Sequence, residues 1–151
     1  MIFLTGFMGS GKTTVGEDLA HRTGAPFVDL DEVIARKSGT SIADIFRCAG
    51  EEAFRALEDT ALKETAAQGG PSCIVATGGG LPVSPLNRKL MKSCGSIVYL
   101  KSSFENLELR IAQDGSRPLW NSGARDLLKK RIPAYEDADL AVDIDSRRAE
   151  D

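Results

Sequence analysis

A chain of 151 residues, 42% of them hydrophobic, suits one domain with a single packed core. Its net charge of -3 speaks against a broad nucleic-acid or membrane-binding face, and no apolar run reaches membrane-spanning length. Three cysteines far apart (Cys48, Cys73, Cys94) and the single histidine His21 make no metal-binding spacing, and no export signal is visible, so the expectation is a cytoplasmic protein with reduced thiols.

In chain order, Ile2 to Thr5 reads as a short buried strand, and Thr13 to Thr23 as a helix stopped by Gly24. "PFVDLD" (26 to 31) reads as a second strand ending in two carboxylates. "SIADIF" (41 to 46) opens with Ser41 and carries Asp44 three residues on, a capping-box pattern. Glu51 to Gln68 is the longest helical stretch. "CIVAT" (73 to 77) is a third strand that runs into Gly78, Gly79 and Gly80. A helix capped by Ser84 with Pro85 in its first turn follows, then a strand at 96 to 100 and a helix from Ser103 to Ala112. "LAVDI" (140 to 144) supplies a fifth strand. Strands alternating with helices predict an α/β fold, a five-stranded parallel sheet with helices on both faces. Ligands of such sheets sit beyond the carboxyl ends of the strands, where the glycine-rich stretches and Asp29 and Asp31 fall. The polar, turn-rich stretch 113 to 123 reads as a flap.

Residues 6 to 13, "GFMGSGKT", fit G-x-x-x-x-G-K-[ST] in full. Glycines let backbone N–H groups converge on phosphate oxygens, and the helix that follows points its positive end at the same place. Gly9, Ser10, Gly11, Lys12, Thr13 and Thr14 are therefore the candidate residues for the phosphates of a nucleoside triphosphate, which the resemblance below makes ATP. Lys12 supplies a mobile cation for the β- and γ-phosphates, and the Thr13 hydroxyl a ligand for Mg²⁺. The third strand ends in Thr77 and not in a carboxylate, so Asp29 is the better candidate for the Mg²⁺ shell. A flexible turn is the alternative reading of the glycines, and the strand before and helix after them favour the phosphate cradle.

The ordered series "GFMGSGKTTVG", "DLD" (29 to 31), "SIADIF", "FRALE" (54 to 58), "TGGG" (77 to 80), "RPL" (117 to 119) and "RIPAY" (131 to 135) spans nearly the whole chain and resembles shikimate kinase. The resemblance implies a P-loop, nucleoside-monophosphate-kinase-like three-layer fold in one kinase domain (1 to 151). It also implies transfer of the ATP γ-phosphate to the 3-hydroxyl of shikimate, in aromatic amino-acid synthesis, by a monomer. An acceptor-binding region at about 31 to 60 and a lid at about 112 to 124 come with it.

Asp31 is similar in position to the family aspartate at the ring hydroxyls, where it accepts the proton or aims the oxygen. By itself Asp31 also suits a helix N-cap. Arg55 and Glu58, three apart on one helical face, describe a solvated surface pair by spacing alone. The resemblance implies that Arg55 grips the substrate carboxylate, oriented by Glu58, with Arg131 as the second carboxylate-binding arginine. Unaided, Arg131 reads as a solvated helix end. The run Gly78, Gly79 and Gly80, a simple turn on its own, matches the backbone that lies against the substrate. Arg117 matches the lid arginine that meets the phosphates on closure, and with Lys12 and Asp31 completes the implied catalytic set. Arg110 reads either as a surface arginine or as a stacking partner of adenine, and Arg147 or Arg148 falls where the adenine loop is expected. Trp120 stands where the family has leucine, and the chain stops before a further helix that family members carry. Two rivals remain open: a kinase for gluconate or a nucleoside monophosphate, and an ATP-binding module without turnover.

Overall fold

The computed structural model describes residues 1–114 and 123–145. Arg117, Trp120, Arg147, Arg148 and most of the expected lid lie outside the described residues. Five strands, β1 (Ile2–Thr5), β2 (Phe27–Asp29), β3 (Ile74–Ala76), β4 (Ser96–Lys101) and β5 (Leu140–Asp143), form one sheet in the order β2-β3-β1-β4-β5, with every pair parallel. Among the described residues six α-helices connect and cover them: α1 (Lys12–Thr23), α2 (Leu30–Ser38), α3 (Ile42–Gln68), α4 (Pro85–Cys94), α5 (Phe104–Asp114) and α6 (Ala124–Glu136).

Strand alternation decides which helix packs where. Register sets Phe3 beside Val75 and Ile97 on one face, where they meet Leu30, Ile34, Phe54, Leu62 and Met91 from α2, α3 and α4. Leu4 and Ile74 point to the other face and pack against Ala20 of α1, with Val15 and Leu19 beside them. A third cluster joins Phe7 and Met8 of the glycine loop to Leu107 and Ile111 of α5 and to Leu128 and Tyr135 of α6. The glycine loop is thus anchored by its two large side chains.

Several boundaries differ from the sequence reading. β2 stops at Asp29, and α2 begins at once, because the Asp29 carboxylate accepts from the N–H groups of Asp31 (2.9 Å) and Glu32 (3.4 Å). The N-cap is therefore Asp29 and not Asp31, which sits in the first turn. Ser41 caps α3 as expected, with Asp44 answering its hydroxyl at 2.7 Å. α3 runs on from there to Gln68 through a kink at Gly50, whose φ of 81° lies outside the helical region. Of the three thiols, Cys48 is exposed, Cys73 buried and Cys94 half-buried. α6 carries Pro133 in its interior and runs on past Arg131, where the sequence reading has a helix end.

Candidate active site

The loop between β1 and α1 is built for close approach. Gly6 (φ 148°) and Gly9 (φ 82°) hold backbone conformations that side chains rarely adopt. A Cβ on Gly6 would lie 2.8 Å from the Leu100 carbonyl, and one on Gly9 would lie 2.8 Å from Ile111. α1 begins at Lys12 behind Gly11, and no side chain caps it. Its first N–H groups and positive end are left for an anion. The Lys12 ammonium donates to the carbonyls of Gly6 and Phe7, each at 3.1 Å, which holds the charge over the loop. Ser10 is 1% exposed, and its hydroxyl oxygen has no hydrogen-bond partner among the described residues. Thr14 follows at the exposed edge of the same turn.

The Thr13 hydroxyl donates to the second oxygen of Asp29 at 2.6 Å. Two hard oxygen donors therefore meet beside Lys12. Mg²⁺ at a phosphate site takes one or two protein oxygens and fills the rest of its shell with water and phosphate. This pair fits that ion, and a larger protein cage is not required of it.

Next to the loop lies a cavity of about 530 Å³, reached by Lys12, Thr13, Asp29, Asp31, Arg55, Glu58, the Gly78–Gly80 run and Arg131. The structure thus gathers residues from positions 12 to 131 around one space. The Arg55–Glu58 pair is not a solvated surface pair, because Glu58 is 1% exposed. Its Oε2 accepts from Arg55 Nη1 at 2.5 Å, while Oε1 has no hydrogen-bond partner among the described residues. Burial pushes the Glu58 carboxyl up to about 7, with Arg55 opposing the shift, Asp31 adding to it and Arg131 opposing it. Glu51 steadies the outer edge of Arg55 at 2.9 Å. Arg131 is not a solvated helix end either. It is 8% exposed, and its guanidinium stands 5.8 Å above the Phe7 ring.

The glycine run serves this packing. A Cβ on Gly78 would fall 2.3 Å from Glu58 Oε1 and 2.9 Å from Asp31 Oδ1, and one on Gly80 would fall 2.1 Å from Arg55 Nη1. One on Gly79 would meet only ordinary contacts, 3.4 Å to the Gly6 carbonyl and 3.5 Å to Arg131. Two guanidinium groups and two carboxyls therefore crowd a glycine backbone on one side and a phosphate loop on the other. Chemically, guanidinium groups of this kind can take a carboxylate and the neighbouring carboxyls can accept from hydroxyls.

Arg110 lies apart from the cavity, donating to the Ile144 carbonyl at 2.9 Å past the end of β5. Sequence reasoning misses Tyr135, whose hydroxyl reaches the Gly79 carbonyl at 2.5 Å. Its signal is the four-residue step from Arg131, which sets both side chains on one face of α6.

The shikimate kinase family model matches residues 8–151. A shikimate kinase of Geobacter sulfurreducens is 42% identical over 155 residues, spanning 99% of this chain and 84% of that protein. Among solved structures, shikimate kinase from Acinetobacter baumannii in complex with shikimate superposes with a TM-score of 0.91 at 38% identity, over 99% of this chain and 86% of that one. A gluconokinase from Sinorhizobium meliloti 1021, at 22% identity and a TM-score of 0.62 over 98% of this chain and 83% of that one, shares the fold alone.

Proposed function

The chain belongs to the shikimate kinase family, whose members transfer phosphate from ATP to shikimate, and from that premise we propose how its own residues divide the work. Its activity is that of the family, and the observation that carries this to the side chains is the cavity shared by the phosphate loop, the buried Arg131 and the half-buried Arg55. Arg55 and Arg131 bind the shikimate carboxylate, with Glu58 holding Arg55 in place. Asp31 meets the ring hydroxyls and aims the 3-hydroxyl at the γ-phosphate, taking its proton as the bond to phosphorus forms. The N–H groups of the Gly78–Gly80 run lie against the ring.

Gly9, Ser10, Gly11 and Thr14 wrap the phosphates, and Lys12 follows the charge that develops on the transferred group. Thr13 and Asp29 would hold Mg²⁺, which when bound neutralises the β- and γ-phosphate oxygens. Arg117, on the lid at about 112 to 124, closes over the phosphates and keeps water out, while Arg110 and Arg147 belong to the adenine end. The single kinase domain spans 1 to 151, with its acceptor region at about 31 to 60. Because all the acceptor groups come from one chain, we place the working unit as a monomer. Three free thiols suit a reducing, cytoplasmic setting, and among the described residues no helix is long and apolar enough to cross a membrane.

The test is ADP release with Mg·ATP and shikimate, gluconate, a panel of nucleoside monophosphates or no acceptor. Release with shikimate alone is expected. Release with gluconate or a nucleotide in its place would overturn the acceptor assignment.

A further inference from the structure

The segment from Gly78 to Val83 shows an asymmetry. Its carbonyls are all engaged by the protein. Gly78 accepts from Leu81 N–H and Gly80 from Val83 N–H, each at 3.1 Å. Leu81 accepts from the Asn87 amide at 3.3 Å, and Pro82 and Val83 accept from Arg88 at 2.6 and 3.1 Å. The Gly79 carbonyl has one donor among the described residues, the Tyr135 hydroxyl at 2.5 Å. The Gly79–Gly80 peptide is thus the middle of a turn closed by Leu81 N–H on the Gly78 carbonyl, and Tyr135 is the one side chain that bonds its carbonyl among the described residues. That peptide is planar and trans, so its carbonyl and the Gly80 N–H point in opposite directions. A hydroxyl that draws the carbonyl toward α6 therefore turns the Gly80 N–H away from α6.

Tyr135 is fixed for this task. It is fully buried, and its ring stacks on Tyr99 with centroids 5.2 Å apart. Burial raises its phenol above the ordinary value, with the charge and hydrogen bonding of Arg131 opposing, so it stays a donor at neutral pH. Arg131 lies one helical turn earlier, and its guanidinium also borders Gly79.

We propose that Tyr135 is a positioning residue for the acceptor, locking the Gly79–Gly80 peptide beside Arg131 in the arrangement that binds shikimate. The inference rests on the acceptor-site reading given above. Tyr135 does not line the cavity, so it acts through the peptide it holds.

The experiment compares Tyr135→Phe with Tyr99→Phe, which alters the stacked neighbour and leaves the Gly79 bond in place. In Tyr135→Phe the KM for shikimate rises about tenfold, or about 1.4 kcal/mol, while the KM for ATP stays within about twofold. Tyr99→Phe changes neither. An unchanged shikimate KM in Tyr135→Phe, an equal rise in both KM values, or the same effect from Tyr99→Phe would overturn the proposal. Should Tyr135→Phe fail to fold, 3-fluorotyrosine at position 135 keeps the ring and the hydroxyl but alters the donor strength. A shift in shikimate KM alone then supports the role, and no shift overturns it. Arg131→Ala run in parallel separates the two levels, since an unchanged shikimate KM there counts against the acceptor-site reading itself.

Discussion

Gly80→Ala is the most direct probe of how the glycine run serves the site. The added methyl would stand 2.1 Å from Arg55 Nη1 and 2.5 Å from its Cζ. Gly80 has a φ of -95°, so the backbone accepts alanine without strain, and the whole cost falls on the guanidinium. Arg55 must withdraw by roughly 1 Å or more to restore ordinary contact. Nη1 also bonds Glu58 Oε2 at 2.5 Å, so the retreat breaks that bond as it spoils the grip on a carboxylate. A hydrogen bond to a charged group is worth about 1.5–3 kcal/mol, and losing one at the acceptor predicts a rise in shikimate KM of roughly tenfold to a hundredfold. The KM for ATP is expected to hold, because the phosphate loop does not touch Arg55. Steady-state kinetics with each substrate varied in turn measure both. A shikimate KM within about threefold of the parent would refute the reasoning, since it would mean that Arg55 can move freely without loss of binding. Gly79→Ala is the internal contrast. Its methyl meets the protein only at ordinary distances, so folding is unaffected and any effect must come from the bound acceptor.

Asp31→Asn keeps the shape and the N–H donors of α2 but removes the proposed proton acceptor. Turnover should fall by more than about a hundredfold while nucleotide affinity, read by titration calorimetry, stays close to the parent; normal turnover would take Asp31 out of the chemistry. Glu58 sets a pH dependence of stability. Its folded value of about 7 lies above the ordinary 4.5, so between those limits the folded state binds the proton that the unfolded chain has released. Stability therefore falls as pH rises from about 4.5 to about 7, by an amount on the order of 3 kcal/mol. Urea unfolding of Glu58→Gln should lack this slope, and identical slopes in the two proteins would contradict it. Thr13→Val deletes the hydroxyl bonded to Asp29, and the Mg²⁺ concentration needed for half-maximal rate should rise at least about tenfold. In the parent protein, chelation by EDTA should stop ADP release and added Mg²⁺ should restore it.

How much of this was readable in advance depends on how local each feature is. The phosphate loop needs only eight consecutive residues between a strand and a helix, so its form follows from spacing and backbone freedom. The caps at Ser41 and Ser84 are local too, since a hydroxyl three residues before an N–H suffices. β2 is different. The run "PFVDLD" stays apolar at Leu30, but the Asp29 carboxylate captures two N–H groups and turns the chain into helix two residues sooner. The full extent of α6 was hidden by Pro133, which ordinarily ends a helix. The helix survives there with a buried face of Leu128, Arg131 and Tyr135 packed under the glycine loop.

The acceptor side was the least legible, and for one reason. A charged pair three apart on a helix has the same sequence whether it faces water or a cavity. Burial of Glu58 is decided from outside α3, by Gly78, whose missing side chain is what lets the carboxyl approach the backbone and Asp31. Burial of Arg131 is likewise decided by Phe7 and the glycine run. The same three glycines that looked like a turn are therefore the space into which two arginines and two carboxyls are packed. Enlarging any of them should be felt in acceptor binding before it is felt in nucleotide binding, and the order Gly80, Gly78, Gly79 tests whether the cost tracks the group displaced. Gly80→Ala moves the flexible Arg55 guanidinium that we propose carries the acceptor. Gly78→Ala presses on two carboxyls already crowded, one of them buried, and so should cost stability as well as affinity. If all three alanine variants weakened binding equally with no loss of stability, steric exclusion of the ligand would explain them, and the packing argument for Glu58 and Arg55 would fail.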